Sequence, residues 1–127
     1  NNKPLSVSKI NTLSESLLLT GFPYDRDKHS RHYLRYYRYF MERCHDVRRS
    51  GSAALDLAWT AAGRVEGFWE FKLNPWDVAA GYLLVTEAGG TVSDFSGQPW
   101  KNLFDFGRQT VASNGLVHKA MLRFLRR

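Results

Sequence analysis

Residues 64–90, RVEGFWEFKLNPWDVAAGYLLVTEAGG, read as a strand, a tight loop and a helix in immediate succession, and any fold of this chain must be built around that unit. Val65, Gly67 and Trp69 alternate with Glu66, Phe68 and Glu70, and the β-branched and aromatic content suits a strand. The strand stops near Lys72. Asn74 is a good N-cap, Pro75 suits the first helical position because its missing N–H has no partner there, and Asp77 falls at the third. A carboxylate at that position can reach back to the cap and favours the positive end of the helix dipole. Asp77 therefore reads equally as a capping residue or, on a rigid helix terminus beside a strand ending near Glu70, as a ligand for a hard cation such as magnesium.

At 127 residues the chain is one domain, large enough for a real core but small for a complete enzyme of several layers. Its 43% hydrophobic and 14% aromatic content require a folded unit, and no apolar run approaches the length that spans a bilayer. The lone Cys44 excludes an internal disulfide and fits no metal-ligand spacing, so a cytoplasmic setting is expected. Asn1-Asn2-Lys3-Pro4 carry neither an initiator methionine nor the apolar core of a signal peptide. They read as the end of a hairpin or loop in a chain that begins mid-protein. The formal charge of +6 is uneven: residues 25–50 hold eight Lys/Arg against four acids, and residues 107–127 hold five against none. Such patches can attract phosphate-bearing partners, but a charged helix face is more often solvated surface, so nucleic acid is not the favoured partner.

Before the central unit, Leu5 to Val7 reads as a short strand and Ser8 to Ser16 as a polar connection or short helical turn capped by Asn11 or Thr12. Leu17 to Phe22 is an apolar run closed by Gly21 and Pro23, the pattern of a strand buried on both faces. His29 to Cys44 places Tyr33, Tyr36, Tyr37 and Phe40 on one helical stripe and Leu34 and Met41 on an adjoining one, with Arg31, Arg35 and Arg38 nearer the opposite side. That aromatic stripe is core or subunit contact rather than a platform for stacked bases. Residues 46–50 extend toward a glycine turn at Gly51, and Ser52 to Ala62 forms a helix whose alanines permit close packing. Gly51-Ser52-Ala53 offers backbone N–H groups at a helix start, where an anion or sugar hydroxyl can approach. Gly89-Gly90 ends the central helix, Thr91 to Phe95 and Thr110 to Ala112 read as strands, and Leu116 to Leu125 closes the chain as an amphipathic helix. The expected fold class is α/β, a layered mixed β-sheet with helices on both faces.

His29, His32, His45 and His118 lack zinc-ligand spacing and read as surface or helix residues, and no serine stands in a nucleophile elbow. Asp56 and Glu87 fall inside helices and Asp94 near a turn, so among the acids only Glu70 and Asp77 converge by local geometry. Two carboxylates are too few to hold a metal cluster by themselves.

Gly51-Ser52-Ala53-Ala54-Leu55-Asp56, Gly63-Arg64, Gly67-Phe68-Trp69-Glu70, Pro75-Trp76-Asp77-Val78-Ala79-Ala80-Gly81 and Glu87-Ala88-Gly89-Gly90, with Leu18 to Tyr24 before them, together resemble the carboxy-terminal half of the inositol monophosphatase family. The resemblance covers nearly the whole chain, 1–127, and implies the carboxy-terminal domain of that fold. It implies that Asp77 is a magnesium ligand, that Glu70 binds substrate hydroxyls, and that Gly51, Ser52 and Ala53 contribute substrate contacts. Family chemistry is in-line attack of a metal-activated water on a phosphomonoester. The family's acidic G-E-E-type segment and D-P-[IL]-D-G-T motif, which supply most metal ligands and position the water, do not occur here. The expectation is thus half of a magnesium-dependent phosphatase of inositol monophosphates, silent without its amino-terminal half. The L-x-P-W-D pattern leans toward inositol over fructose bisphosphate or phosphoadenosine phosphate. Two alternatives remain: a module that dimerises through the aromatic helix, the family being commonly dimeric, and a basic adaptor for nucleic acid or transcription machinery.

Overall fold

A computed structural model describes residues 2–127; Asn1, part of the expected loop end, lies outside them. After a single 3-10 turn at Leu13–Glu15 come β1 (Leu17–Thr20), α1 (Arg26–Met41), β2 (Asp46–Arg48), α2 (Ala53–Ala61), β3 (Gly67–Phe71), α3 (Pro75–Glu87), β4 (Thr91–Ser93), β5 (Gln109–Ser113) and α4 (His118–Leu125). The strands form one sheet in the order β2-β1-β3-β5-β4. β2, β1 and β3 run parallel, while β5 is antiparallel to both β3 and β4.

The alternation of side chains along each strand explains why both faces are covered. Leu18, Trp69 and Val111 project into a core with Tyr36 and Phe40 of α1 and Met121, Leu122 and Leu125 of α4. Their chain neighbours Leu19, Phe68 and Ala112 project the other way, against Leu57 and Ala61 of α2 and Val78 and Val85 of α3. α2 and α3 approach closely because Gly81 has no side chain: a Cβ there would lie 2.5 Å from Leu57. The expected layered mixed sheet is therefore the observed one.

Several local expectations change. Leu5–Val7 is not a strand; Val7 instead donates its N–H to Ala88 O at 3.2 Å, outside any ladder. Residues 46–50 contain a true edge strand. α1 starts three residues earlier than the aromatic stripe suggested, with His29 at non-helical angles inside it. Tyr33, Tyr36 and Phe40 are buried in the core of this chain and Tyr37 is half-buried, whereas Leu34 and Met41 are exposed. His118 is not a surface histidine. It is buried, with Ser93 Oγ at 2.9 Å from Nε2 and Ser113 Oγ at 2.9 Å from Nδ1.

Candidate functional site

β1 lies between β2 and β3, so the β1-α1-β2 and β2-α2-β3 crossovers run in opposite directions and put α1 and α2 on opposite faces. The carboxyl ends of parallel strands on either side of such a reversal diverge and leave a crevice, the usual ligand position in an open α/β sheet. Here the segments leaving all three parallel strands line one cavity of about 600 Å³. Gly21 to Arg26 follow β1, Arg49 to Ala54 follow β2, and Glu70 to Asn74 with Asp77 come from the end of β3 and the start of α3. Gly51, Ser52, Ala53, Glu70 and Asp77 are thus brought together.

Each is held by a local device. Gly51 sits at φ +90°, a conformation side chains rarely adopt, although a Cβ there would meet nothing within 4 Å. Ser52 caps α2, its side chain accepting from Leu55 N–H at 3.3 Å. Asp77 occupies the third position of α3 and its Oδ2 accepts from Asn74 N–H at 2.8 Å, leaving Oδ1 for another partner. Asp77 is therefore a capping residue and an available ligand at once. Glu70 closes over Gly21, where an added Cβ would fall 2.3 Å from its Oε1; only a glycine leaves room for this carboxyl.

Burial first, and the adjacent Asp56 charge second, push the Glu70 carboxyl up to about 7 against the pull of Arg49, with Asp77 adding in the same direction. Asp56 is pushed up to about 6 by burial, its bond from Ser50 opposing the shift. This corrects the expectation that only Glu70 and Asp77 converge, because Asp56 from α2 lines the same cavity. Its signal in the sequence was a single acid in an otherwise apolar, alanine-rich helix. Arg49 and Gly21 were also passed over; a residue leaving one strand and a glycine leaving another have no shared sequence pattern.

Magnesium takes oxygen ligands, carboxylates among them. Among the described residues no group of three or more His, Cys, Asp or Glu side chains could hold a metal ion. Burial raises both the Glu70 and the Asp56 carboxyls, Glu70 the further of the two. What fits is one open carboxylate, Asp77, for an ion that keeps waters and takes further oxygens from phosphate or another segment.

Fold and site define a layered α/β domain whose crevice gathers Asp77, Glu70 and the Gly51-Ser52-Ala53 turn. The model of the inositol monophosphatase family matches residues 1–126, and the chain belongs to that family. It is 46% identical over 126 residues to "Nus factor SuhB" of Escherichia coli strain K12, covering 99% of this chain and 46% of that protein. It is 43% identical over 125 residues to "Inositol-1-monophosphatase" of Synechocystis, covering 98% and 42%. The solved inositol monophosphatase of Anabaena superposes with a TM-score of 0.89 at 44% identity, over 99% of this chain and 49% of that one. The chain thus spans about half the length of the relatives it matches.

Proposed function

We propose that the chain is the carboxy-terminal half of a magnesium-dependent phosphomonoesterase acting on inositol monophosphates, and that it is inactive alone. The observation that carries this reading is the convergence of Asp77 and Glu70 from the β3-α3 connection and the Gly51-Ser52-Ala53 turn from the β2-α2 connection on one cavity at the reversal of the sheet. Asp77, through the carboxylate oxygen its cap leaves over, would hold the magnesium ion on this side. When bound, that ion neutralises phosphate charge and lowers the pKa of a bound water. Glu70, seated on Gly21, reads substrate hydroxyls, and the turn at Gly51 and Ser52 brings backbone close to the same ring, with Ala53 beside it. The other ligands come from an amino-terminal half, in keeping with the share of its relatives that the chain spans. A homo-oligomer is the expected assembly.

The direct test is phosphate release from inositol 1-phosphate with magnesium, by this chain alone and then mixed with a separately produced amino-terminal half. Activity only on mixing, lost in D77N, supports the reading; release by the chain alone contradicts it.

A second reading has one observation in its favour, the name "Nus factor" carried by relatives up to 48% identical. On it the chain is an interaction module, with the basic surface of α1 as the contact. Retention on RNA that falls steeply with salt would favour a nucleic-acid adaptor, and no retention at low salt would remove it.

A further inference from the structure

Asp56 has no part in the reading above, yet it lines the cavity from the first turn of α2 and is only 1% exposed. A buried carboxylate is costly unless it is partnered. It does not cap its helix, because the α2 cap is Ser52. Its partner lies outside the helix: Oδ1 accepts from the Ser50 hydroxyl at 2.5 Å. Ser50 Oγ in turn accepts from Ser52 N–H at 3.1 Å. The two bonds straddle Gly51, which sits at φ +90°. Buried carboxylate, hydroxyl and amide thus form a short relay, and it ends on the turn assigned to substrate contact.

We propose that Asp56 is a positioning residue for hydroxyl recognition: acting through Ser50, it sets the Ser50-Gly51-Ser52 turn so that this turn and Glu70 face the same polyol ring. The proposal rests on the reading of the cavity as a polyol phosphate site. Ser50 is exposed, so S50A removes the relay without opening the core. Asn at position 56 keeps an oxygen acceptor for Ser50 and discards the charge, whereas Ala discards both.

Two measurements test it. In the chain alone, exchange of the Ser52 amide hydrogen is expected to speed up on the order of tenfold in S50A and D56A, the scale of one lost hydrogen bond, and to stay near wild type in D56N. In the mixture with the amino-terminal half, S50A is expected to raise KM for inositol 1-phosphate on the order of tenfold with kcat unchanged, and D56N to restore KM where D56A does not. Unaltered Ser52 exchange in S50A and D56A overturns the proposal, as does an unchanged KM. If the wild-type mixture releases no phosphate, the reading of the cavity has failed, and the exchange measurement still decides the relay by itself.

Discussion

Glu70 is the cavity residue whose protonation weighs most on stability. Its carboxyl rises from 4.5 in the unfolded chain to about 7 in the fold, chiefly by burial. Between those values the folded chain holds a proton that the unfolded chain releases, so stability falls as pH rises through that window. The contribution is fully present below about pH 4.5 and lost by about pH 7. Asp56 acts in the same direction from 3.8 to about 6. E70Q, which cannot ionise, is expected to gain stability relative to wild type on going from pH 5 to pH 8, read from urea midpoints. A constant difference between the two proteins would contradict a burial-driven shift. Gly21 tests the seat of the same carboxyl. G21A places a Cβ 2.3 Å from Glu70 Oε1 and must displace it, so hydroxyl recognition should be lost with the fold intact; near-ultraviolet circular dichroism and KM in the mixture check the two parts.

At the scale of elements, the start of α3 separates two duties of one side chain. D77A removes the acceptor for Asn74 N–H and is expected to destabilise the chain by about 1 kcal/mol. D77N retains an oxygen there and should stay within about 0.5 kcal/mol of wild type while still abolishing activity in the mixture, as chemical denaturation and phosphate release would show. His118 ties α4 to β4 and β5 through its two serines, and burial, then Arg126, holds it down from 6.5 to about 4. Here the unfolded chain binds the extra proton, so the stability is complete above about pH 6.5 and is lost as pH falls toward 4. H118Q should be less stable than wild type at pH 7 and show a flatter loss between pH 6.5 and 4. These elements also show what the sequence could reveal. The β3-loop-α3 unit was legible because caps and alternation are local, and Glu70 and Asp77 came with it. β2 was obscure because Asp46-Val47-Arg48 has one apolar residue and is fixed by pairing with β1. Leu5–Val7 failed as a strand for the converse reason: apolar character without a partner edge.

Across the whole molecule the continuous apolar run of β1 made the two-sided sheet readable, because a strand buried on both faces needs helices on each. The convergence of Asp56 with Glu70 was not readable, since it depends on the β2-α2-β3 crossover bringing distant segments to one end of the sheet. Trp76, 77% exposed beside Asp77, and Leu55 and Leu83 on α2 and α3 are large apolar side chains left uncovered. The measurement that bears most directly on this account is phosphate release from inositol 1-phosphate with magnesium, by the chain alone and after adding the amino-terminal half. The account predicts silence alone and activity on mixing that disappears in D77N. Release by the chain alone, or activity on mixing that survives D77N, would contradict it.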